Sequence, residues 1–88
     1  MYEVRLENQA KRELARLHPV VQRAILEALA TLATTPRRHG AKKLKGKLRN
    51  SWRVAVGGYR IGYTIDDKAR VVSVFALGPR GGFYEGLH

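Results

Sequence analysis

The sequence contains no cysteine. That excludes disulfides, thiolate metal sites and thiol nucleophiles. Small secreted domains usually carry disulfides, so the lack leans toward a cytoplasmic protein. No stretch approaches the ~20 apolar residues that span a bilayer, and no membrane role is expected. The N-terminal Met1-Tyr2-Glu3-Val4-Arg5 lacks the pattern of a secretory signal. Acidic residues are also scarce, with 7 Asp and Glu against 17 Lys and Arg and a formal net charge of +10. The 88 residues suit one domain, 1–88. A chain this short buries only roughly 60–65% of its unfolded surface, so its stability margin is thin.

The shortage of acid is concentrated. From Ala28 to Ile65 there is none, and the same stretch carries Arg37, Arg38, Lys42, Lys43, Lys45, Lys47, Arg49, Arg53 and Arg60. Such segregation points to nucleic acid, or to an acidic protein that imitates it. The stretch holds Gly and Pro and forms no amphipathic helix, which argues against a membrane surface. Lys43, Lys45, Lys47 and Arg49 are the candidate RNA-binding residues within it.

Hydrophobic periodicity predicts the elements. Tyr2, Val4 and Leu6 alternate with Glu3 and Arg5, as in a short strand. Asn8 is a plausible N-cap for a helix carrying Ala10, Leu14 and Leu17. His18-Pro19 ends it, and Pro19 opens a second helix. There Val21, Ile25, Ala28, Leu29 and Leu32 form an apolar stripe running to about Thr34. Residues 36–50 read as a basic loop. Trp52, Val54 and Val56, then Tyr59, Ile61, Tyr63 and Ile65, alternate around Gly57-Gly58 as in a two-residue hairpin. Val71 to Leu77 is a third strand, stopped by Gly78-Pro79. Strand, helical hairpin and three-stranded antiparallel meander make an α+β domain with helices on one face of the sheet.

The Gly57-Gly58 turn sets the pairing of its strands. Val56 faces Tyr59, Val54 faces Ile61 and Trp52 faces Tyr63, forming one buried face. The other carries Arg53, Ala55, Arg60 and Gly62. Arg53 and Arg60 become diagonal neighbours, roughly 7–8 Å apart at the backbone, beside small residues that leave room above the sheet. The third strand should end beside Tyr59-Arg60, bringing Arg80 into the same neighbourhood, although apolar residues on both its faces leave its register open. Tyr84 follows and could stack on a base or offer its hydroxyl to a phosphate.

Lys43-Leu44-Lys45-Gly46, Trp52-Arg53-Val54, Gly58-Tyr59-Arg60-Ile61-Gly62-Tyr63, Gly78-Pro79-Arg80 and Tyr84, in this order, resemble the RelE/ParE superfamily of toxins. The likeness spans almost the whole chain. It implies a RelE-like toxin of a type II toxin–antitoxin system, an mRNA interferase that arrests growth. The activity implied is that of an endoribonuclease needing no metal or cofactor, which cuts mRNA in the ribosomal A site by 2′-hydroxyl attack on the adjacent phosphate. By motif position the catalytic residues are Arg53, Arg60, Arg80 and Tyr84. At a usual lysine position, two residues after Arg53, this chain has Ala55. That weakens catalysis or moves the base role to Arg53, Lys43, Lys45 or Tyr84. The partners implied are a cognate acidic antitoxin, the ribosome and mRNA, with operator DNA reached only through the antitoxin. A ParE-like DNA gyrase inhibitor and a non-catalytic RNA-binding module are the alternatives. His18, His39 and His88 form no metal site, and the acids form no pair suited to Mg²⁺.

Overall fold

A computed structural model describes residues 1–44 and 50–79. The chain runs β1 (Glu3–Leu6), α1 (Asn8–Ala15), α2 (Pro19–Thr34), β2 (Lys42–Lys43), β3 (Ser51–Val56), β4 (Tyr59–Asp66) and β5 (Val71–Pro79). The strands form one sheet in the order β1-β5-β4-β3-β2. β1 lies parallel to β5, with Val4 beside Val72 and Leu6 beside Val74. The meander is therefore the middle of a five-stranded mixed sheet, and the expected α+β architecture holds.

The hairpin has the register set by its turn. Val56 pairs with Tyr59, Val54 with Ile61, Trp52 with Tyr63, Ala55 with Arg60 and Arg53 with Gly62. Gly57 has φ +60°, the conformation an L side chain resists. The β4–β5 register, left open by the sequence, contains a bulge: Gly62 pairs with Ala76 but Tyr63 with Val74. Phe75 is the extra residue, and it resets the alternation so that Val72, Val74 and Leu77 all face the helices.

The core lies between that face and the helices. Ile25, Ala28, Leu29 and Leu32 of α2 meet Val54, Ile61, Tyr63, Ile65, Val72, Val74 and Leu77, and Ala10 of α1 joins them. Trp52, Val56 and Tyr59 at the end of the sheet are only partly buried, so the expected six-residue buried face is complete only at its centre.

Two local readings need correction, and His18 gains a role. Glu7, not Asn8, holds the N-cap position of α1, without a side-chain bond. His18, exposed to solvent, also caps α2: its Nδ1 accepts from Val20 N at 3.2 Å, with Pro19 following as the first helical residue. Residues 36–50, read as a loop, contain β2, which pairs antiparallel with β3. Two exposed lysines between glycines carry no hydrophobic alternation, so only the tertiary edge of β3 reveals them as a strand.

Glu13 of α1 turns inward. Its Oε1 accepts from Leu77 N at 3.3 Å, on the edge of β5 that lies beyond the end of β1. The carboxylate thus takes the place of a missing strand.

Candidate nucleic-acid interface

The sheet face opposite the helices carries Arg53 and Arg60. Arg53 pairs with Gly62, and Arg60 is flanked by Ala55 on β3 and Gly78 on β5. Ala76, opposite Gly62, completes a floor of small residues beneath two guanidinium groups. Arg60 is half-buried. Its Nη1 donates to Tyr59 O at 3.1 Å, and its Nε is buried without an acceptor among the described residues. Among the described residues no carboxylate pairs with Arg60. A cation placed so is costly unless an anion arrives, and its remaining donors suit phosphate.

β5 ends at Pro79, opposite Tyr59. Arg80 and Tyr84 lie outside the described residues, as do Lys45, Lys47 and Arg49. Lys43 is exposed on β2 and pairs with Trp52, on the helix-facing side of the sheet. Lys42 pairs with Arg53, so the face holding the two arginines includes a lysine that sequence motifs had not singled out. The only signal for it in the sequence is alternation, which requires knowing that β2 exists.

A second cluster secures the approach to β2. Arg37 donates to Asp67 through Nη1 at 3.0 Å and Nη2 at 2.8 Å, while Tyr2 OH donates to Asp67 at 2.7 Å. These bonds, the arginine's first, hold the Asp67 carboxyl down to about 2. The Arg37 guanidinium also lies over Trp52, 5.4 Å from the ring centre. Trp52 Nε1 donates to Asn50 Oδ1 at 3.0 Å, and Asn50 Nδ2 donates to Ile65 O. Tyr63 OH donates to Pro36 O at 2.7 Å, and burial pushes this phenol up to about 12. Arg38 donates to Thr31 Oγ1 at 2.9 Å. The segment from α2 to β2 is thus tied at three successive residues. None of this was legible in the sequence, because Arg37 and Asp67 are 30 residues apart and both read as solvated surface.

Among the described residues no group of three or more His, Asp and Glu could hold a metal ion, and no helix is long and apolar enough to cross a membrane.

The two-helix, five-strand architecture with a cationic sheet face defines a class, the small α+β toxins of type II toxin–antitoxin systems. A family model for the ParE toxin of the type II toxin–antitoxin system parDE matches residues 4–82. Toxin RelG of Mycobacterium tuberculosis is 33% identical over 84 residues, covering 94% of this chain and 95% of that protein. The toxin of the RelBE2 toxin–antitoxin complex from the same organism superposes with a TM-score of 0.80 at 30% identity, covering 90% of this chain and 98% of that one. The Escherichia coli RelBE complex gives 0.79 at 25% identity, with 90% and 96% covered. The chain belongs to the RelE/ParE superfamily and is a RelE-like toxin.

Proposed function

We propose that the protein is a metal-independent endoribonuclease that cleaves mRNA in the ribosomal A site and is neutralised by a cognate acidic antitoxin. The observation that carries this reading is the placement of Arg53 and Arg60 on one face above Ala55 and Gly62, with no carboxylate on Arg60 among the described residues. In the reaction the ribose 2′-oxygen bonds to phosphorus as the bond to the 5′-oxygen breaks. The 2′-hydroxyl proton passes to a base and the leaving oxygen takes up a proton. The products are a cyclic phosphate and a 5′-hydroxyl. Negative charge builds on the non-bridging oxygens, and fixed guanidinium groups are suited to stabilise it.

Arg80 and Tyr84 complete the proposed catalytic set. Lys43, Lys45, Lys47 and Arg49 supply backbone contacts to RNA, and the ribosome positions the message. An extended acidic antitoxin complements the +10 chain, and solved RelBE complexes of similar toxins support such a partner. Operator DNA is reached only through that antitoxin, and the site of action is the cytoplasm.

Primer extension on translated mRNA in EDTA tests the activity. Removing one oxyanion donor typically costs ~10²–10³-fold in rate, and Arg60→Ala is expected to lose that much while RNA binding remains. RNA binding by the unsubstituted protein without any cleavage would select a non-catalytic RNA-binding module. The ParE family match favours one second reading, inhibition of DNA gyrase. Blocked supercoiling with intact mRNA would select it.

A further inference from the structure

We propose that Lys42, not Lys43, is the lysine of β2 that contacts the RNA phosphate held over Arg53 and Arg60. The inference rests on the RNA-directed reading above and adds a residue to it.

Successive residues of a strand point to opposite faces, so of two adjacent lysines only one can share the face of the arginines. The pairing of Lys42 with Arg53 and of Lys43 with Trp52 selects Lys42. Directly opposed residues have Cβ atoms about 4.5–5.5 Å apart, within easy reach of a phosphate at the Arg53 guanidinium.

The register is fixed from both ends. Leu44 N donates to Ser51 O at 2.8 Å on one side, and Ala41 N donates to Arg38 O at 2.9 Å on the other. Upstream, Pro36, Arg37 and Arg38 are tied to Tyr63, Asp67 and Thr31. A slip by one residue, which would exchange the two lysines, breaks these bonds together.

The neighbouring cations are already engaged. Arg37 is neutralised by Asp67 and Arg38 is turned to Thr31. Lys42 is exposed and has no hydrogen-bond or ion-pair partner among the described residues. Ala55, diagonal to it across the strands, is exposed and small, which leaves the space above open to a four-carbon stem. A compact ammonium group there adds a point charge to the planar guanidinium groups.

The test compares Lys42→Met with Lys43→Met, two variants of equal net charge, together with Lys42→Arg. Two readouts are used: cleavage of translated mRNA, and binding of a 2′-O-methyl RNA oligonucleotide, which lacks the attacking hydroxyl. Lys42→Met is expected to weaken binding roughly tenfold or more, the scale of a hydrogen bond to a charged group. It should also shallow the slope of log K against log salt by about 0.7, one phosphate contact on a single strand. Lys43→Met, on the other face of the sheet, should weaken binding several-fold less than Lys42→Met, and Lys42→Arg should retain most of the binding. Matched melting temperatures show that folding is not the cause.

Equal effects of the two methionine variants overturn the proposal, as does an unaffected Lys42→Met or failure of the unsubstituted protein to bind the oligonucleotide. If Arg60→Ala abolishes cleavage while Lys42 and Lys43 behave alike, the nuclease reading survives and this inference fails. If nothing is cleaved but Lys42→Met weakens binding well beyond Lys43→Met, the nuclease reading fails and this inference stands.

Discussion

Asp67 shows how one exposed carboxylate can organise distant chain. It receives two hydrogen bonds from Arg37 and one from Tyr2, and so joins the N-terminus, the α2–β2 connection and the β4–β5 turn. Its folded pKa is depressed, to about 2, so its contribution is present above the ordinary carboxylate value and is lost as pH falls through about 2. Trp52 is the single tryptophan and lies under Arg37, so its fluorescence reports the tie. The signal should hold from pH 7 down to roughly 4, while Asp67→Asn should show the released signal throughout that range. A pH-independent wild-type signal identical to that of the variant would show that Arg37 does not depend on Asp67. The residue scale also explains what sequence reading could reach at the interface. Arg53 and Arg60 were legible because a local turn fixes their relation. Lys42 was not, because its relation to Arg53 passes through a strand of two residues.

At the scale of elements, the hairpin is the most strongly encoded piece. Two alternating runs flank a Gly-Gly pair, and the observed pairing follows residue by residue. The two glycines are not equivalent. Only Gly57 has positive φ, and a Cβ at Gly58 meets nothing within 4 Å. Gly57→Ala should lose roughly 1–2 kcal/mol, whereas Gly58→Ala should be neutral or gain about 0.4–1 kcal/mol by restricting the unfolded chain. Urea unfolding of both variants checks the contrast, and equal destabilisation would contradict it. The helices were legible for a similar reason: a stripe at helical spacing and a proline at the start of α2 are local signals. β2, the bulge at Phe75 and the parallel placement of β1 beside β5 were not, since each depends on a partner remote in sequence.

For the molecule as a whole, one small core sits between two helices and one face of the sheet. Ile25 and Leu32 are fully enclosed in it. Truncating such a residue costs about 2–5 kcal/mol, against a total stability of only about 5–15 kcal/mol for an ordinary domain. Ile25→Ala should therefore lower the urea midpoint sharply without changing the m-value; a shift under about 1 kcal/mol would place the core elsewhere. A partner that binds only the folded chain should recover part of that loss by mass action. One face of the sheet is spent on the core, which leaves the other free to gather cations that a polyanion can meet.

Local order in the chain determined the two helices, the hairpin and its register, the shared face of Arg53 and Arg60, and the basic character of the middle third. These follow from periodicity, turn chemistry and composition, which act over a few residues. Tertiary contact alone decided that Lys42 joins those arginines, that Glu13 completes the edge of β5, that Arg37 is held by Asp67 and that β1 closes the far side of the sheet. Each depends on groups separated by many residues, whose meeting is fixed only when the single core brings its layers together.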